Sequence, residues 1–193
     1  SPDGNNVYVS QPTNPTLSSW NLYRAPVLGG TPQVVVRDID TTVSFSPDGK
    51  RMAYGRFNDP DVGKWRLLSA NPDGSDEKVL FITGASEGAY NVAWSPDGKR
   101  IACGIRQPGN DLGGIQMYDV SSGQMKSFAR FPDKIPVGLD WLPDGHDLLV
   151  NYDKSFATGM VAQHAQIGMV SYPGGAFHTV TNDTNTYSTL SLA

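Results

Sequence analysis

Cysteine is nearly absent: Cys103 is the only one among 193 residues, so no internal disulfide can staple the fold. No apolar run approaches the roughly 20 residues that a membrane-spanning helix requires, and the first residues carry no signal-peptide pattern. The residues present therefore encode no membrane insertion, although an export signal upstream would be compatible with them. Basic residues are scattered singly in a chain of net charge −4, which leaves no basic stripe and argues against nucleic-acid binding through this segment. His146, His164 and His178 are too far apart for a local zinc signature. A kinase's Gly-rich loop, strand lysine and His-Arg-Asp loop are missing too. No low-complexity linker divides the chain. The sequence thus assigns no catalytic constellation, metal or cofactor to these residues.

Glycine and proline, by contrast, are plentiful, at 21 and 14 residues, and they recur in register. Val43-Ser44-Phe45-Ser46-Pro47-Asp48-Gly49 is repeated as Val92-Ala93-Trp94-Ser95-Pro96-Asp97-Gly98 and as Leu139-Asp140-Trp141-Leu142-Pro143-Asp144-Gly145. Ser1-Pro2-Asp3-Gly4 is a fourth copy of the turn, and Pro2, Pro47, Pro96 and Pro143 stand 45, 49 and 47 residues apart. That period is the size of one propeller blade. Proline presets φ for the first corner of a type I turn, aspartate suits the second, and glycine takes the positive φ that follows. An apolar strand enters each turn and another leaves it, as in Met52-Ala53-Tyr54 and Ile101-Ala102-Cys103. Cys103 holds the place of Val9, Tyr54 and Val150, so it reads as a buried small hydrophobe. A second glycine series, Gly29-Gly30, Gly74, Gly123 and Gly174-Gly175, keeps the same phase and predicts four strands per unit. Trp94 and Trp141, on the large-residue face of their strands, are expected to pack between blades.

These motifs resemble the TolB-type, WD40-like (PD40) propeller repeat, whose hallmark is an apolar-aromatic strand, Ser-Pro-Asp-Gly-Lys-Arg, and a second apolar strand. Ser46 to Arg51 and Ser95 to Arg100 match it in full, whereas Leu142 to Asp147 and Ser1 to Asn6 are degenerate copies. The resemblance implies an all-β fold, a single β-propeller segment over residues 1–193 with about four repeats of four-stranded antiparallel blades, within a propeller of six or more. Leu190-Ser191-Leu192-Ala193 aligns with Val43-Ser44-Phe45-Ser46, so the alternative expectation is a four-bladed ring closed by pairing of the last strand with Val7 to Gln11. Leu22 to Gly30, Tyr172 to Gly175, Thr181 to Asp183 and Tyr187 to Leu192 further resemble propellers C-terminal to bacterial serine/threonine protein kinases. Attachment to a membrane-spanning kinase would imply a periplasmic or otherwise extracytoplasmic location.

Four local motifs have plainer readings than their patterns invite. Gly84-Ala85-Ser86-Glu87-Gly88 fits the nucleophile-elbow pattern, but an elbow joins a strand to a helix, and here the flanking runs both read as strands. Asp38-Ile39-Asp40 and Asp59-Pro60-Asp61 do not continue into a calcium loop. Asn182-Asp183-Thr184 is a glycosylation sequon by pattern alone.

Alternation of the turns divides the disc into two faces. One carries the stereotyped Pro-Asp-Gly and Gly-Gly turns; the other carries connections that differ in length and chemistry, and variable loops on a rigid scaffold are where recognition usually sits. The candidate binding residues on that face are Arg37, Asp38, Asp40, Asp59, Asp61, Glu87, Tyr90, Arg106, Asp111, Arg130, Asp133, Lys134 and Asp153. Alternating charges around aromatics suit a protein or peptide partner, and a solvated rim would read the same way. The functional expectation is a non-catalytic binding or sensory scaffold of a larger bacterial signalling protein. The alternatives are the substrate-gating propeller of a prolyl-oligopeptidase-like peptidase and a free-standing periplasmic TolB-like protein.

Overall fold

The computed structural model describes residues 1–13, 20–106, 113–153, 164–187 and 190, and all of its sheets are antiparallel. Blade II contains β4 (Ser44–Phe45), β5 (Met52–Phe57), β6 (Lys64–Ala70) and β7 (Lys78–Gly84). Blade III contains β8 (Ala89–Trp94), β9 (Arg100–Ile105), β10 (Gly113–Asp119) and β11 (Gln124–Phe131). Blade IV contains β12 (Ile135–Trp141), β13 (Asp147–Asp153), β14 (Gln166–Ser171) and β15 (Phe177–Thr179). In each of these three sheets the strands lie side by side in chain order. In blade I three strands are described. Its described strands are β1 (Asn6–Pro12), β2 (Trp20–Pro26) and β3 (Gln33–Val36), in that order. The place beside β1, filled in the other sheets by β4, β8 or β12, holds no described strand.

The predicted turn forms four times with one geometry. In blade II the Gly49 N–H donates to Ser46 O (2.8 Å) and the Ser46 N–H donates to Arg51 O (2.9 Å). Ser95, Leu142 and Ser1 accept from Gly98, Gly145 and Gly4 in the same way. The four glycines have φ between +68° and +72°, the left-handed conformation that a side chain disfavours and glycine does not.

Burial follows position in the blade. β5 and β9 are buried almost throughout, because a blade covers each of their faces, whereas the outer strand β7 is half-exposed or exposed along its length. The core consequently lies between blades. Leu22 and Val36 meet Met52, Tyr54 and Leu68 between blades I and II. Trp65 and Leu67 meet Val92, Ile101 and Cys103 between II and III, and Ile115 and Phe131 meet Trp141, Val150 and Tyr152 between III and IV. Trp141 is buried, and its indole N–H crosses to Ala93 O (3.2 Å), so it packs between blades as its strand position predicts. Trp94 is half-buried; its indole N–H returns to Gly98 O in its own turn (3.1 Å), while its main-chain N–H donates to Ser44 Oγ of the preceding blade (2.8 Å). The inner strands β4, β8 and β12 line a common cavity of about 330 Å³, with Leu190 beside them. No helix among the described residues is long and apolar enough to cross a membrane.

Candidate functional site

The loop face is organised by two arginines that the charge pattern alone did not single out. Arg56, at the far end of β5, is nearly buried and donates from Nη1 and Nη2 to the two carboxylate oxygens of Glu77 (both 2.9 Å). It also donates to the carbonyls of Asp38 (2.8 Å) and Arg37 (3.0 Å), which pins the connection from blade I to blade II. The Tyr54 hydroxyl donates to Glu77 as well (2.5 Å). The Arg56 guanidinium holds the Glu77 carboxyl below its ordinary value, and burial with the Glu77 hydrogen bond pushes the Tyr54 phenol up. Arg66, buried on β6, donates to the Asp59 carbonyl (2.8 Å) and to the Asp61 carboxylate. The signal for both arginines was available: each sits inside a strand whose other members are mostly apolar. The partner of Arg56 was not, since Glu77 lies 21 residues away.

The predicted binding residues separate into groups accordingly. Arg37, Asp59, Asp61, Glu87, Tyr90, Arg130 and Asp133 are exposed, and Asp38, Asp40, Arg106 and Lys134 are half-buried. Asp61 is turned onto Arg66, and Glu87 accepts from Thr83 Oγ1 (2.6 Å). Lys134 is tied to Asp133 and lies over the Tyr152 and Phe177 rings, 5.8 and 5.1 Å from their centroids, so its stem packs more than it protrudes. Asp153 must be corrected: as the last residue of β13 it is buried, at 0% exposure, and does not stand on a loop surface. Asp111 lies outside the described residues. Among the described residues no three His, Cys, Asp or Glu side chains gather as a metal site.

One cleft does bring candidates together. Ser10 of β1, Trp20 of β2, Asp40 and Thr42 of the connection, and Tyr90 of β8 line a space of about 300 Å³. Trp20 and Tyr90 are 42% and 47% exposed, high values for aromatic side chains on strands. The Asp40 backbone is held by its N–H to Gly55 O (3.0 Å), and its Oδ2 accepts the Phe57 N–H (2.7 Å). Burial raises the Asp40 carboxyl above its ordinary value against that bond, and Asp38 adds to the rise while Arg56 opposes it. Trp20 was absent from the sequence reading, because nothing in its neighbourhood repeats in the other blades.

The two patterns that invited chemistry have structural surroundings. Ser86 sits in a short 3-10 turn, Ala85–Glu87, between β7 and β8, a strand-turn-strand setting in place of the strand-helix elbow. Cys103 is fully buried, and burial pushes its thiol up, away from the thiolate.

No family model and no curated protein matches the chain. Solved structures do. The TolB of Acinetobacter baumannii superposes with a TM-score of 0.69 at 18% identity over 93% of this chain and 41% of its own. A protein described as a TolB from Agrobacterium tumefaciens gives 0.73 at 20% identity over 94% and 62%. A chain of the nidogen/laminin complex gives 0.59 at 16% identity over 82% and 58%. The chain thus spans less than two thirds of each of these proteins, and it has the fold of a TolB-like β-propeller.

Proposed function

We propose that the chain is a non-catalytic recognition module that takes a protein or peptide partner on its loop face, as the sensory or interaction part of a larger signalling protein. The observation that carries this reading is the cleft between Trp20 and Tyr90, where two strands and one connection deliver exposed aromatics and a carboxylate to one place. Large aromatics presented on rigid strands give contact area at little entropic cost, which is why they dominate recognition surfaces. A propeller of similar fold within a nidogen/laminin complex is consistent with protein binding. Attachment to a serine/threonine kinase rests on the sequence resemblance of Leu22 to Gly30 and Tyr172 to Gly175, and kinase motifs in the upstream coding DNA are its check.

Selection of binders from a random peptide library tests the reading. Hydrogen exchange on the bound complexes should protect the amides around residues 37–42 and 87–91. Substituting Arg37, Glu87 and Tyr90 together by alanine should abolish capture, whereas Lys50→Ala and Lys99→Ala on the turn face should not. Protection confined to the turn face would overturn it.

A further inference from the structure

The cleft has a specific electrostatic imbalance. A carboxylate offers about four acceptor positions, yet the one hydrogen bond that Asp40 accepts among the described residues is the Phe57 N–H on Oδ2. The cation that acts on it is committed elsewhere: Arg56 spends its donors on both Glu77 oxygens and on the carbonyls of Arg37 and Asp38. Asp38 is close enough to add a like charge. A half-buried anion with an idle oxygen thus lies at a cleft whose walls include Trp20 and Tyr90. Aromatic faces attract cations, tryptophan most strongly.

From this we infer that the Trp20–Asp40–Tyr90 cleft seats the cationic side chain, arginine or lysine, of a peptide partner. The inference rests on the loop-face reading and names the chemistry of what binds there. An ammonium or guanidinium supplies the missing donor to Asp40 Oδ1 while its alkyl stem lies along the aromatic rings. A neutral amide would leave the buried charge uncompensated, and an anion would be repelled by Asp40 and Asp38 together. A hard metal ion would need six or more oxygen ligands, which one carboxylate and the hydroxyls of Ser10, Thr41 and Thr42 do not supply. The volume, about 300 Å³, is at the small end of ligand sites and suits one side chain more than a whole cofactor.

The test is an NMR titration of the whole chain with three blocked tripeptides that differ only in a central arginine, lysine or glutamine, read at the Trp20 indole N–H. The arginine and lysine peptides are expected to move that signal saturably, and the glutamine peptide to leave it in place. Asp40→Asn keeps an acceptor for the Phe57 N–H and should weaken the cationic peptides about tenfold or more, the worth of a charge-assisted hydrogen bond. Asp144→Asn, exposed on the turn face and keeping an acceptor for the His146 N–H, should change affinity by no more than about twofold. Equal binding of the glutamine peptide, or unchanged affinity in a folded Asp40→Asn protein, would overturn the inference. Should Asp40→Asn fail to fold, Tyr90→Ala and Trp20→Leu alter exposed side chains, and the same loss is expected, with Trp20→Leu read at the Tyr90 amide. Unchanged affinity in both overturns the proposal equally. The two readings fail separately. Library peptides that protect the loop face without a cationic residue, and without moving the Trp20 indole, would sink this inference and leave the recognition module standing. Tripeptide binding at Trp20 with no library peptide on the loop face would do the reverse.

Discussion

The two faces of the disc are built by opposite rules. On the turn face one hydrogen-bond pattern is stamped repeatedly: Ser46 Oγ donates to Asp48 and accepts the Arg51 N–H, and Ser95 Oγ does the same with Asp97 and the Arg100 N–H. On the loop face no such pattern recurs among the described residues. Each connection solves its own problem, one with Arg56 and Glu77, another with Arg66 and Asp61, a third with Lys134 over two rings. Repetition marks where the chain is held together, and its absence marks where side chains are left free to differ. Asp40 makes the contrast concrete. Asp48, Asp73, Asp97 and Asp119 each accept hydrogen bonds within their own turns and are lowered chiefly by those bonds, whereas burial raises Asp40.

If the turn face is the structural half, its substitutions should have the largest effects on stability. Gly74 has φ +84°, and a methyl group there would lie 1.8 Å from Val35 O of the neighbouring blade. Gly74→Ala should therefore destabilise by about 3 kcal/mol or more, since left-handed strain and a backbone overlap add, and urea denaturation measures it. A loss below about 1 kcal/mol would mean that the blades slide past each other more freely than this contact allows.

Glu77 links the two halves, because it lies beside the turn-face end of β7 while the arginine it holds grips the loop-face connection. Glu77→Gln should lose about 2 kcal/mol at most, as the carboxylate is partly exposed and screened. Its folded-state value lies below the ordinary 4.5. The stability it contributes is thus present above that pH and is lost as pH falls through the lower folded value. Thermal unfolding scanned from pH 7 to pH 3 should show a shallower acid decline in Glu77→Gln than in the parent; identical slopes would remove the pair from the account.

Ser95→Ala deletes two hydrogen bonds of one turn and should cost about 1–2 kcal/mol. In blade IV the same position is Leu142, whose side chain adds no hydrogen bond to the backbone bonds and the His146 N–H to Asp144 bond of its turn, so Leu142→Ala should cost less than Ser95→Ala in the same assay.

The smallest and most diagnostic effect has the opposite sign. Burial raises the Asp40 carboxyl, so its ionisation opposes folding at pH values above its folded-state value and ceases to matter below its unfolded one. Asp40→Asn should leave stability at pH 3 unchanged and increase it slightly at pH 7, by about 0.5 kcal/mol after screening, even as it weakens cationic peptides. A residue that reduces stability and aids binding belongs to a site; a loss of stability at pH 7 would place Asp40 with the structural carboxylates of the opposite face.

Much of this architecture was legible before any coordinates. The Pro-Asp-Gly phase located all four turns, the apolar pairs on either side located β4/β5, β8/β9 and β12/β13, and the place of Cys103 among Val9, Tyr54 and Val150 anticipated its burial. The candidate site was legible only in part. Asp40 and Tyr90 were found because they lie in charged or aromatic connections of the variable face, but Asp153 was placed on the surface because the end of a strand was read as the start of a loop. Trp20 went unnoticed because its partners come from other blades.

The sequence by itself determined the blade period, the turn geometry and the division into a repeated and a variable face. These depend on local backbone preferences of proline, aspartate and glycine and on period-two burial, both of which are properties of adjacent residues. Only the tertiary structure decided which charges are spent on holding the loops and which remain uncommitted. Arg56 finds Glu77 21 residues away, and Trp20, Asp40 and Tyr90 meet across blade boundaries. Such pairings depend on distances through space that no spacing along the chain encodes.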